Sequence, residues 1–236
     1  MPDAPFRYHP DVVARFPSVV GGVMVATVRN APSSDELSQA VAVEVHAARA
    51  RLAGTPLSEV AALAAWRRVF RGFGVDPTQY RSAAEALLRR ITKGDNLPSI
   101  NACVDAANLV SIRYALPVAV FDTRDVRGGT VVRIADGGEH WADLGGSTTE
   151  HPEPGEVIFV DDAGEVSARR WCWRQSKASA ARDDTTRLLV TIEGHHEGAL
   201  QDVGAAVDDL ATLLRAHASA EILRREILSA SRPSLD

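Results

Sequence analysis

The stretch INACVDAANLVSIRYALPVAVFD, residues 100–122, decides the fold. Its first half has helical spacing, with Cys103, Ala107, Val110 and Tyr114 on one face at steps of four, three and four. Asn101, Asp105 and Asn108 share another face at i, i+4 and i+7, and Ser111 continues it. The helix runs to about Tyr114, and Pro117 then opens an apolar strand that closes on Asp122. The polar stripe has two readings. It is the wet side of an amphipathic helix, with Asn101 near the N-cap and Asp105 favoured by the helix dipole, or it is the wall of a site. Residue types alone leave both open.

Upstream of this stretch the chain is mostly helical. The Val-rich run 19–30 reads as a buried strand, kinked at Gly21-Gly22. Helices follow over about 34–51 and 58–71, and a third runs to Lys93 with Asp76 or Thr78 as its cap and Pro77 in its first turn. Downstream the texture turns to strands over 130–136, 155–161, 165–173 and 186–194, with DDAGE (161–165) as a hairpin turn. Helix returns from Gly198 to about Leu214 and again over 219–228, and SRPSLD reads as a tail. One α+β domain is expected over 1–236, with a mixed β-sheet and packed helices. Its motif-bearing core spans about 80–195, flanked by helices at 34–93 and 199–228.

Composition narrows the function classes. A chain of 236 residues with 45% hydrophobic and 24% charged residues buries a substantial core. The formal charge of −5 argues against coating a nucleic-acid backbone over a wide surface, while permitting a local basic patch. Two cysteines, with no CxxC and no Cys/His cluster, predict neither a structural zinc nor a disulfide framework. The seven histidines fall in no metal-ligand spacing, so no metal or other cofactor is expected. No run is long and apolar enough for a membrane span. The opening carries an acid and several prolines where a signal peptide needs an apolar core, which makes the cytoplasm the default compartment.

The densest local basic patch is RRWCWRQSK, residues 169–177, while Arg67, Arg68 and Arg71 form a modest, solvated basic face. Between Val166 and Arg182 there are five basic residues and no acidic one. As an extended strand it would put Arg169, Trp171, Trp173 and Gln175 on one face and Arg170, Cys172, Arg174 and Ser176 on the other. Interleaved indoles and guanidinium groups suit a single-stranded nucleic-acid end; a core strand with its arginines reaching solvent carries the same pattern.

The order Ile100, Asn101, Val104, Asp105, Asn108, Val110, Pro117, Phe121, Asp122 resembles the B3/B4 domain, the editing domain of the phenylalanyl-tRNA synthetase beta subunit. Those are nine placed matches across 23 residues. GEVIFVDDAG and the following run through TRLLVTIEG fit more loosely. The RYALPV and WxWRQS elements are more similar to free-standing members of the family. The resemblance covers roughly residues 80–195 and includes none of the ATP- and amino-acid-activating machinery. It implies an aminoacyl-tRNA deacylase acting in trans on a mischarged tRNA, without metal or covalent intermediate. The alternative is a non-catalytic module of the same fold that binds a tRNA end or a small molecule. Asn108 matches the family's pocket asparagine, and with Asp122 is the catalytic candidate. Asn101, Asp105, Arg113, Trp171, Trp173, Arg174 and Gln175 are the candidates for holding the tRNA 3′ end. Arg113 or Arg174 would take the terminal phosphate, and Trp171 or Trp173 the terminal adenine. The family's pocket histidine, which reads the tyrosyl hydroxyl in the synthetase, falls on Ala119, so the resemblance does not carry tyrosine specificity with it.

Overall fold

A computed structural model describes residues 6–146 and 148–235. In chain order the elements are β1 (Phe6–Tyr8), α1 (Pro10–Arg15), β2 (Val20–Thr27), α2 (Asp35–Arg51), α3 (Ala61–Gly72), α4 (Ala83–Thr92), α5 (Ala102–Tyr114), β3 (Val118–Asp122), β4 (Thr130–Ile134), β5 (Trp141–Ala142) and β6 (Thr149–Glu150). They continue with β7 (Val157–Asp161), β8 (Val166–Arg169), β9 (Arg174–Gln175), β10 (Arg187–Gly194), α6 (Ala199–Ala218), β11 (Glu221–Ser229) and β12 (Ser234–Leu235). Two sheets organise the α+β fold, one in the order β11-β2-β10-β3 and the other β12-β1-β4-β7-β8-β9.

Strand alternation sorts the core into two layers. From β10, Leu188, Val190 and Ile192 join Val120 of β3 against α2, α4, α5 and α6. Leu189 of β10 and Phe121 of β3 point the other way, into a layer with Phe6, Val132, Val157 and Phe159 of the second sheet. The four-stranded sheet is therefore covered by helices on one face and by a sheet on the other. Trp66 and Phe70 of α3 join this second, aromatic layer.

Local chemistry explains most of the boundaries. The Asn101 side chain caps α5 by accepting from the Val104 N–H at 3.1 Å, and Ala115 ends the helix with a left-handed φ of 55°. The stripe on α5 is not a solvated face. Asp105 is buried and accepts from Ser33 Oγ at 2.6 Å, Ser99 Oγ at 2.5 Å and the Ile100 N–H at 3.0 Å. Ser111 Oγ donates to the Leu116 carbonyl at 2.7 Å, which ties the helix to the strand after it.

Four expectations are corrected. The chain over 219–228 is not helix: β11 pairs along the outer edge of β2, with a bulge between Ile222 and Arg224. The supposed tail contributes β12, which pairs with β1. The helix ending at Lys93 starts at Ala83 with Ser82 as cap, while Asp76 closes a turn by accepting from the Thr78 N–H at 2.8 Å. The run 165–173 is not one strand. It ends at Arg169, and Arg170 and Trp171 turn in left-handed backbone with φ of 44° and 58°. The chain then returns as β9, with Arg174 opposite Arg169.

Candidate functional site

That turn abolishes the two-face alternation over 169–175 and builds a pocket instead. A cavity of about 60 Å³ lies at the layer between the sheets, lined among others by Ala119 and Phe121 of β3, Thr191 and Glu193 of β10, and Trp171 to Gln175. Thr191 stands opposite Ala119 in the β10–β3 ladder.

Glu193 is the chemical centre of this cavity. It is 2% exposed, and its Oε1 accepts from Tyr8 Oη at 2.7 Å and from Trp171 Nε1 at 3.0 Å. Neither bond uses Oε2, and no described residue forms an ion pair with the carboxyl group. Burial raises the Glu193 pKa to about 7 against the lowering effect of the two hydrogen bonds. Burial also pushes the Tyr8 phenol and the Cys172 thiol well above their ordinary ranges.

Two glycines make this packing possible. Gly21 faces Glu193 across the β2–β10 ladder, and a Cβ there would collide with the Tyr8 hydroxyl. A Cβ on Gly22 would strike Val207 of α6 on the opposite face. Each glycine thus allows a close approach rather than a kink.

Trp173 and Arg174 of the cavity lining belong to an aromatic and cationic cluster with Arg170 and Tyr80. The Arg170 guanidinium lies 3.9 Å from the Tyr80 ring centroid and 4.6 Å from that of Trp173, and it pairs with Glu156 at 2.9 Å. Arg174 stacks 4.7 Å from the Trp173 centroid, pairs with Asp143 at 2.7 Å and has a side chain 46% exposed.

The structure brings together only part of the sequence-predicted set. Trp171, Trp173, Arg174 and Gln175 line the cavity. Trp171 is fully buried against Phe16, Trp66 and His195, so no base reaches its faces. Gln175 Nε2 is occupied by the carbonyls of Val120 and Ser179 at 2.8 and 2.7 Å. Asn108 instead lines a separate cavity of about 90 Å³ with Ser38 and Val41 of α2 and with Asp105. That cavity is on the helical side of the four-stranded sheet. Asn101 Nδ2 donates to the Ala181 carbonyl at 3.0 Å, a structural tie. Arg113 is paired with Glu44 at 2.8 Å and Asp209 at 2.9 Å. Asp122 anchors the loop after β3, accepting from Thr185 Oγ1 at 2.6 Å, the Arg124 N–H at 2.9 Å and Arg124 Nε at 2.8 Å. Among the described residues no group of three or more His, Cys, Asp or Glu side chains is placed to hold a metal ion. None of the described helices is long and apolar enough to cross a membrane.

Residues 65–214 match the family model of the B3/4 domain. The chain belongs to the B3/4 domain family. It is 35% identical over 106 residues to the phenylalanine–tRNA ligase beta subunit of Bradyrhizobium diazoefficiens, covering 45% of this chain and 13% of that protein. It is 35% identical over 77 residues to the beta subunit of Cutibacterium acnes, covering 33% of this chain and 9% of that one. A crystal structure of an N-terminal fragment of the phenylalanyl-tRNA synthetase beta subunit from Pyrococcus horikoshii aligns over 92% of this chain and 49% of that one, with 13% identity and a TM-score of 0.48. This B3/4 domain therefore spans a small fraction of the curated relatives it matches.

Sequence reasoning found the basic, aromatic half of the cavity and missed Tyr8, Tyr80, Thr191 and Glu193. Glu193 had a visible signal. It shares the β10 face with Leu189 and Thr191, so an inward acid was already legible in the strand expected over 186–194.

Proposed function

We propose that this B3/4 domain is an aminoacyl-tRNA deacylase that hydrolyses the ester of a mischarged tRNA in trans. The observation that carries this reading is the pairing of a buried, carboxyl-bearing cavity with a half-buried indole and an exposed guanidinium at its wall. Trp173 stacks on the terminal adenine and Arg174, released from Asp143, takes a backbone phosphate. The aminoacyl group then enters between the sheets. The Thr191 hydroxyl, inside the cavity, orients the attacking water. Water adds to the ester carbonyl, the acyl carbon–oxygen bond breaks, and the proton passes to the departing ribose hydroxyl. Asn108 and Asp122 take no part in this step. One lies on the helical side of the sheet, and the other is committed to the loop after β3.

Purified protein incubated with a panel of correctly and wrongly charged tRNAs tests this. Hydrolysis of at least one ester is expected, reduced ten-fold or more by Trp173→Ala and by Arg174→Ala. Tight tRNA binding without turnover on any member would instead establish a binding module, the reading favoured by Ala119 standing where the family resemblance places histidine.

A further inference from the structure

The Glu193 carboxyl group is out of balance with its surroundings. A buried carboxylate is normally matched by a cation or by a full set of donors, because an unpaired buried charge is strongly destabilising. Here both donors, Tyr8 and Trp171, converge on Oε1. Oε2 takes neither, and the residue lines the cavity. The guanidinium groups nearest the cavity are committed elsewhere, Arg170 to Glu156 and Arg174 to Asp143. A ligand that brings its own positive charge would complete the site.

We propose that Glu193 Oε2 receives the free α-ammonium group of the aminoacyl ester, so that the cavity accepts unacylated aminoacyl groups and rejects N-acylated ones. The proposal rests on the deacylase reading for the identity of the ligand. Its geometry comes from β10: Thr191 and Glu193 project from the same strand face, about 7 Å apart along the chain. In an aminoacyl ester the amine and the scissile carbonyl are two bonds apart. An amine on Glu193 therefore turns the carbonyl towards the water held by Thr191. A side-chain amine, several bonds further out, would carry the carbonyl away from it.

Three small probes separate the chemistry: L-alaninamide, N-acetyl-L-alaninamide and Nα-acetyl-L-lysinamide, titrated by following the indole fluorescence that Trp171 and Trp173 contribute beside the cavity. L-Alaninamide is expected to bind at least ten-fold more tightly than its acetylated form. Glu193→Gln, which keeps an acceptor for Tyr8 and Trp171, is expected to abolish the difference. Equal or absent binding of all three, or preference for the lysinamide, would overturn the proposal. Should the variant fail to fold, the comparison in the native protein decides alone. Turnover supplies the second arm. If a charged tRNA and its N-acetylated form are hydrolysed at the same rate, the deacylase reading stands and the ammonium site falls. If L-alaninamide binding depends on Glu193 but no aminoacyl-tRNA is hydrolysed, the ammonium site stands and the deacylase reading falls.

Discussion

Gly21 stands directly across the β2–β10 ladder from Glu193, and the Tyr8 hydroxyl occupies the space where a Gly21 side chain would be. Three strands from both sheets therefore meet at one carboxyl group, and a hydrogen atom on Cα is what lets the phenol reach it. Gly21→Ala is expected to push Tyr8 away from Oε1 and leave a buried carboxyl with one donor instead of two. The loss of that bond and the local repacking should cost about 2–3 kcal/mol. Urea unfolding of the variant measures this. Tyr8→Phe in the Gly21→Ala background should then add little, because the bond is already gone.

Glu193 and His195 should pull the pH dependence of stability in opposite directions. The folded Glu193 pKa is raised from an ordinary 4.5 to about 7, so its contribution is complete below 4.5 and is lost as pH rises to 7. A shift of that size corresponds to roughly 3 kcal/mol. His195 is lowered from 6.5 to about 3, chiefly by burial and then by His196, so its contribution is present above 6.5 and lost as pH falls towards 3. Between pH 4.5 and 6.5 the two largely cancel. Glu193→Gln removes one side of the balance, and its stability should climb with pH across that window where the native protein's stays flat. Tyr8 and Cys172 remain neutral there because burial raises both. Thermal melts at half-unit pH intervals would show it. A variant profile as flat as the native one would place the Glu193 carboxyl in a wetter setting than the cavity.

Trp171 has two separable roles, a ring packed against Phe16, Trp66 and His195 and a donor to Glu193. Trp171→Phe keeps most of the ring and deletes the donor. The expected loss is about 1–2 kcal/mol. In a double-mutant cycle, Glu193→Ala, which removes the acceptor, with Trp171→Phe should lose less than the sum of the single changes, since both delete one bond.

What the sequence showed and what it hid divide along physical lines. The helix–Pro–strand unit at 100–122 was legible because its signals are local: Asn101 caps, Ala115 and Pro117 terminate, and the strand is apolar. The segment 219–228 was misread because Ile222, Ile227 and Leu228 suit a helix as well as a strand. What settles it is the unpaired edge of β2, far away in sequence. The turn at 170–171 had no glycine or asparagine to announce a left-handed backbone. Tertiary burial of Trp171 holds it. The same long-range packing moved Asn108 to a different cavity from the tryptophans, which no spacing rule could reveal.

Asp122 is expected to behave as a structural anchor. Its carboxyl group is 2% exposed and takes Thr185, the Arg124 backbone and the Arg124 guanidinium, which itself reaches Asp184 at 2.7 Å. Asp122→Ala leaves a half-buried guanidinium and a buried hydroxyl short of an acceptor, at a cost of about 3 kcal/mol. Chemical denaturation measures it. Asp184→Ala, which removes only the exposed half of the same arrangement, should cost clearly less than Asp122→Ala.

Salt dependence offers a direct check on Arg174. Single-stranded nucleic acid bound through phosphates loses affinity with log salt at about 0.7 per contact. If Arg174 makes one such contact with a tRNA 3′ end, Arg174→Ala should lower that slope by about 0.7 as well as weakening binding. Trp173→Ala, which removes a stacking surface, should weaken binding by about 1–3 kcal/mol and leave the slope unchanged. Titrating both variants and the native protein with uncharged tRNA at several salt concentrations separates charge from stacking. A slope unaffected by Arg174→Ala would mean that the Asp143 pair is never released and that the phosphate is held elsewhere on the surface.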